Sequence, residues 1–195
     1  GNDILGSRLL PPSGRCPKCR ARIGPPAGSV ELMAAAAFTG IALGGASGWL
    51  AAAQYWLAAC GVALAMIDLA VQRLPDVLTV PACAGTLLLL TGAALAGEPG
   101  GFGRAAAATL VVTAAFLLLS LPSGMGLGDV KLAPAIGALL GWNSWQNVLW
   151  GTTAGFFAGL VFAGVLLTAG RNRRAQVAFG PFMIIGALAV SVATG

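Results

Sequence analysis

Six carboxylates and no histidine bound the chemistry open to this chain of 195 residues. The acids are Asp3, Glu31, Asp68, Asp76, Glu98 and Asp129. Without histidine there is no Ser–His nucleophile, no imidazole base and no His-ligated metal. A pair of carboxylates needs none of these. Two aspartates in one site cannot both ionise cheaply, so they hold one proton between them. One then acts as base on a water molecule while the other acts as acid on a carbonyl oxygen. That scheme hydrolyses a peptide bond without metal, cofactor or covalent intermediate.

Asp68 and Asp129 are the candidates for such a pair. Asp68 closes an apolar run, where its charge opposes the helix dipole, so a salt bridge to Arg73 or a pairing with Asp129 is needed to account for it. Asp129 ends the segment Gly126-Leu127-Gly128-Asp129, between two apolar stretches. Glycines there permit backbone conformations closed to other residues and let a substrate strand approach. Gly-rich loops before helices are also common in a chain with 29 glycines, and a helix cap at Asp129 fits as well as catalysis does. Asp76 follows Pro75 and opens an apolar run, a good N-cap context. Lys131 reads either as a counter-charge for Asp129 or as a lysine snorkelling to the membrane surface. Arg73 reads as a topology anchor or as a contact for the substrate backbone, and Glu31 as a partner for the basic residues of 15–22.

The elements that must position these acids are apolar. The chain is 57% hydrophobic and 9% charged, where a soluble domain carries roughly 25% charged residues. Its mean hydropathy is +0.87, which makes lipid the expected solvent. Residues 1–28 form a Pro/Gly-rich basic segment, and 29–195 the membrane domain. Apolar runs cover about 30–46, 49–68, 77–96, 105–121, 146–169 and 177–194, with a shorter stretch at 132–142. A spanning helix needs ~20 apolar residues, since the hydrocarbon core is ~30 Å thick. Six runs meet or approach that length. The 132–142 stretch is either a half-helix or crosses by extending through its polar neighbours. The expected fold is all-α: a polytopic transmembrane bundle of six to seven segments.

Seven crossings place 1–28, 69–76, 122–131 and 170–176 on one side, and those four segments hold ten of the eleven basic residues. Only Arg104 falls on the other. The Lys/Arg bias makes the crowded side cytoplasmic and puts Asp68, Asp76 and Asp129 there. Basic residues gathered between apolar runs are topology signals, and no nucleic-acid partner is expected. Trp142, Trp145 and Trp150 read as an interfacial belt, and Pro134 and Pro181 as helix kinks or starts.

Several blocks in order carry a resemblance: Val30-Glu31, Ile67-Asp68, Leu74-Pro75-Asp76, Leu78-Thr79, Pro81, Gly126-Leu127-Gly128-Asp129-Val130-Lys131-Leu132 and Phe179-Gly180-Pro181. From about Arg15 onward the chain resembles the type IV prepilin leader peptidases. That resemblance implies a Gly-x-Gly-Asp aspartyl dyad, a motif shared with presenilin-type proteases. The catalytic positions fall on Asp68 and Asp129, with Gly126, Gly128, Asp76, Lys131 and Arg73 in support. It further implies an endopeptidase of the bacterial plasma membrane, with its site toward the cytoplasm. The implied substrate is a prepilin or pseudopilin, whose short basic leader is cut before the hydrophobic stem. No cofactor is needed for that cleavage.

Members of the family carry a further hydrophobic segment at the N-terminus, which the chain is expected to lack. Many also carry two Cys-x-x-Cys pairs, and those with the full set methylate the new pilin N-terminus. Here only Cys16-Pro17-Lys18-Cys19 is present, so methyl transfer is not carried over. Cys16 and Cys19 have the spacing of half a zinc site. Cys60 and Cys83 lie inside apolar runs and are badly placed to complete it. A second pair outside the chain, a zinc shared between two chains, or a metal-free relic all fit; a disulfide does not suit a reducing cytoplasm. Two rival functions use the same residues: a proton-coupled transporter, and an inactive component of a pilus or secretion assembly.

Overall fold

In lipid every backbone polar group needs an internal partner, so long apolar runs free of charge become helices. The computed structural model describes residues 25–26, 28–71, 74–123, 127–168 and 179–194. Among these it contains seven helices: α1 (Ser29–Leu43), α2 (Gly48–Val71), α3 (Asp76–Leu95), α4 (Phe102–Ser123), α5 (Leu127–Asn143), α6 (Trp145–Thr168) and α7 (Gly180–Ala193). Four of them, α2, α3, α4 and α6, are long and apolar enough to cross a membrane. With no strand among the described residues, the architecture is the polytopic helical bundle that the apolar runs indicate.

Two elements are shorter than their apolar runs. Helix α1 stops at Leu43, because Gly45 takes φ 78°, a left-handed turn that a side chain disfavours. Helix α7 has 14 residues and opens with Pro181 in its first turn, where a missing N–H costs nothing. The stretch at 132–142 is no half-helix. It extends through Asp129 and Lys131 to form the 17 residues of α5, about 25 Å long at ~1.5 Å per residue.

Helix α5 lies at the centre, packed against α2, α3, α4, α6 and α7. Leu132, Ala133, Ala135, Leu139 and Leu140 are fully buried in it. Between helices in lipid the association rests on close packing, which small residues allow. A Cβ on Gly137 would lie 2.7 Å from the Ala108 carbonyl oxygen of α4, and one on Gly186 of α7 only 2.6 Å from the Gly151 carbonyl oxygen of α6. These glycines let backbones touch where a larger residue would hold the helices apart.

Trp142 does not belong to an interfacial belt. It is 1% exposed, and its indole fills the space over Gly100, where a Cβ would lie 2.1 Å from the ring. Trp145 and Trp150, at 47% and 69% exposed, do face outward. The far end of α5 is closed by Arg104. Its guanidinium donates to the carbonyl oxygens of Gly141, Trp142 and Asn143 at 2.8, 2.7 and 2.7 Å. A cation on the last carbonyls of a helix satisfies groups that have no intrahelical partner and complements the dipole.

Candidate active site

Asp68 stands in the last turn of α2 and Asp129 in the first turn of α5. They are separated by 61 positions in the chain, counting from 68 to 129, yet packing brings them to one place. Both are buried, at 3% and 5% exposed. The meeting point is Gly180, the first residue of α7. A Cβ built there would lie 3.2 Å from Asp68 Oδ2 and 3.4 Å from Asp129 Oδ1. Any side chain at position 180 would press on both carboxylates, so glycine keeps the space beside them open. The backbone N–H of Gly180 faces the Asp68 carboxylate.

Those same two oxygens, Asp68 Oδ2 and Asp129 Oδ1, are buried without a hydrogen-bond partner among the described residues. Buried polar atoms are nearly always paired, and leaving one unpaired costs free energy. Two unpaired carboxylate oxygens aimed at one point are what a water-activating dyad needs and what a purely structural pair would avoid.

Leu74 and Gly128 complete the walls. Leu74 lies in the α2–α3 connection, half-buried, with its Cδ2 3.4 Å from the Cβ position of Gly180. A Cβ on Gly128 would lie 2.9 Å from Leu74 Cδ1 and 3.0 Å from Leu74 Cβ. The glycine before Asp129 therefore lets Leu74 seat against the start of α5, next to Gly180. That is a steric reason for the glycine, distinct from the conformational freedom its type suggests. Gly126 and Arg73 lie outside the described residues, as do Cys16 and Cys19.

Asp76 and Lys131 are brought together, but not into the dyad. Lys131 Nζ donates to Asp76 Oδ1 at 2.6 Å, in an ion pair whose side chains are 47% and 63% exposed. The expectation of Asp76 as an N-cap is corrected: Pro75 takes the cap position of α3 and no side-chain cap bond forms. Asp76 instead stands in the first turn, where its charge suits the helix dipole. Lys131 is a counter-charge for Asp76 rather than for Asp129.

Sequence reasoning singled out the two aspartates and Gly128, but not Leu74 or Gly180 as site residues. Both occur in blocks that carry the family resemblance, and that was their only signal. Among the described residues no three His, Cys, Asp or Glu side chains are grouped as a metal site. Cys60 and Cys83 are free thiols, and the Cys83 thiol donates to the Lys131 carbonyl oxygen at 2.9 Å.

Comparison with known proteins points the same way as the geometry. Residues 55–168, more than half of the chain, match the type IV leader peptidase family. A prepilin leader peptidase/N-methyltransferase of Aeromonas hydrophila is 38% identical over 178 residues, covering 88% of this chain and 60% of that protein. One of Burkholderia pseudomallei is 37% identical over 182 residues, 90% of this chain and 57% of its own length. One of Neisseria gonorrhoeae is 28% identical over 175 residues, 88% and 59% respectively. The chain thus spans about 60% of the length of the curated relatives it matches. No solved structure matches it.

Proposed function

The chain belongs to the type IV leader peptidase family, and from that premise we propose that it is an endopeptidase that removes the basic leader of a prepilin or pseudopilin with Asp68 and Asp129. The observation that carries this reading is the meeting of Asp68 Oδ2 and Asp129 Oδ1 beside Gly180, both buried and both unpaired among the described residues. The dyad holds a single proton. The ionised aspartate takes a proton from a water molecule, whose oxygen attacks the carbonyl carbon of the scissile bond. The protonated aspartate donates to the carbonyl oxygen as the tetrahedral intermediate forms. Collapse of that intermediate breaks the C–N bond: the proton gained by the first aspartate passes to the leaving amine, and one hydroxyl proton of the intermediate returns to the second aspartate, restoring the singly protonated pair. No metal takes part in these steps. The Leu74 side chain keeps bulk water from the acids, which strengthens the electrostatics of each proton transfer.

The site belongs on the cytoplasmic face of the bacterial inner membrane in this reading. Support comes from the basic segments: four connections or flanks on the dyad side hold ten of the eleven Lys and Arg residues. The leader is cut there before the hydrophobic stem. The relatives' names also include N-methyl transfer. The present proposal stops at peptide cleavage, because no residue described here accounts for the methyl transfer.

The test is processing of a co-expressed prepilin by Asp68→Asn and Asp129→Asn. Each substitution keeps shape and removes the titrating group, so loss of general acid–base catalysis is expected at roughly 10²–10⁴-fold. Cleavage by either variant at the wild-type rate would sink the dyad.

A further inference from the structure

An apolar groove of about 360 Å³ lies between α1 and α7 over a floor formed by α2. Its walls include Met33 and Gly40 of α1 and Pro181 and Ile185 of α7; Gly61 and Ala65 belong to the floor. At the end remote from the dyad α1 and α7 converge, since a Cβ on Gly44 would lie 2.5 Å from Val192 Cγ1. At the other end its lining stops next to the aspartates of the proposed dyad. Pro181 follows Gly180, the residue beside both carboxylates, and Ala65 precedes Asp68 by three positions on the same helix. Ile185 is 54% exposed, so the groove is open sideways.

Two observations together indicate what the groove holds. Its floor carries Ala58 and Ala65, small residues that admit the backbone of another helix more closely than Leu or Ile would, while Gly61 already receives Ile184 of α7. Just beyond its head lie Asp68 Oδ2 and Asp129 Oδ1, unpartnered among the described residues and on residues more than nine-tenths buried. A helix in this groove ends at the acids. We propose that the occupant is the apolar stem that follows the cut bond in the substrate, entering sideways from the bilayer and lying parallel to α1 and α7. This assignment rests on the peptidase reading of the dyad. From Pro181 to Val192 the groove accompanies eleven helical steps, about 16 Å at ~1.5 Å per residue. It therefore holds the first three turns of the stem and fixes the scissile bond by depth rather than by leader sequence.

The experiment uses the full chain in membrane vesicles with an intact prepilin, made inactive by Asp129→Asn so that the substrate stays bound. Photoreactive benzoylphenylalanine replaces Ile185, Ala189 or, as a control on the outer face of α6, Leu160, which is 64% exposed. Crosslinks from position 185 are expected on stem residues near the cut bond, those from 189 about one turn farther along, and those from 160 on lipid alone. Only lipid, a second copy or another segment of the chain at 185 and 189 overturns the proposal, as does a stem crosslink equally strong at 160. A second arm fills the groove in the active protein. A Cβ on Gly40 meets nothing within 4 Å, so Gly40→Phe occupies the space without displacing a neighbour. It is expected to raise KM for the prepilin about tenfold with kcat within about twofold. Gly164→Phe on α6, where a Cβ is equally unopposed, leaves both parameters unchanged. A wild-type KM in Gly40→Phe overturns the groove assignment while leaving the dyad standing. Wild-type cleavage by the aspartate-to-asparagine variants instead removes the peptidase reading, and the groove assignment with it.

Discussion

Glu98 and Arg104 at one end of the bundle and Asp68 and Asp129 at the other place charged side chains in opposite circumstances. Glu98 accepts the backbone N–H groups of Trp49 and Leu50 at 2.7 and 3.2 Å, so it caps the start of α2. Arg104 closes the end of α5 on three carbonyl oxygens. Each charged group there is consumed by unsatisfied backbone, and the pair does for the helix ends what capping residues do elsewhere. At the dyad end the carboxylates are more deeply buried, yet each leaves one oxygen unpaired among the described residues. Burial alone does not separate a structural acid from a chemical one. The separating feature is whether the acid's acceptor atoms are already used.

The comparison breaks first if the isosteric amides behave alike at the two ends. Asp68→Asn and Asp129→Asn should lose roughly 10²–10⁴-fold in kcat/KM, with thermal stability near wild type, because the amide keeps an oxygen for the Gly180 N–H and one oxygen of each acid has no partner among the described residues. Glu98→Gln should do the reverse. It weakens a charge-assisted cap by about 1 kcal/mol and leaves cleavage per folded molecule unaltered, which a paired melting and processing assay reads. Arg104→Met extends the same contrast, since it takes the guanidinium from three helix-end carbonyls and leaves that of Trp142 with the Gly101 N–H alone. A loss of about 2–4 kcal/mol is expected from charged hydrogen bonds of this kind, visible as a lower melting temperature in detergent.

The pH profile sharpens the chemical half of the comparison. A dyad sharing one proton works only in its singly protonated state. As pH falls both acids become protonated and no base remains; as pH rises both ionise and no acid remains. The rate should therefore be bell-shaped in pH, with two apparent values belonging to the pair. Both variants Asp68→Asn and Asp129→Asn should lose that shape in whatever activity survives. A smaller effect is expected at the wall of the site. Gly128→Ala puts a methyl group 3.0 Å from Leu74 Cβ, so Leu74 must move. Overpacking of this sort costs about 1–3 kcal/mol, and activity should fall about tenfold as water reaches the acids. The smallest effect belongs to Lys131→Met. Its ion pair with Asp76 is exposed on both sides and contributes under about 1 kcal/mol, so processing should stay within about threefold of wild type.

Most of the fold is legible from the chain alone because its signals are local. Apolar runs of fixed length make helices in lipid, and the basic residues gather between them on one side. Asp68 also stands out, since its charge opposes the helix dipole in a chain with so few charges, whereas Asp129 reads equally well as a cap. The misreadings share a cause. Trp142 has the composition of an interfacial anchor, but Gly100 provides a slot that only packing reveals. Asp76 has the context of a cap, but Lys131, 55 positions later, takes its carboxylate. For α5 the chain alone leaves a half-helix and a longer helix open, and the structure takes the longer one, through polar residues that the sequence assigns to a loop.

By itself the sequence indicated an all-α bundle of six to seven apolar segments, basic residues gathered in the connections between them and two candidate aspartates. Hydropathy and charge depend on each residue and its neighbours, so no partner in space is needed to read them. Only the tertiary structure decided that Gly180 lies beside both carboxylates, that Leu74 packs on Gly128 and Gly180, and that a groove opens between α1 and α7. Those relations join segments more than fifty residues apart, and the close approach that makes them possible comes from glycines whose role is visible only against the backbone they touch.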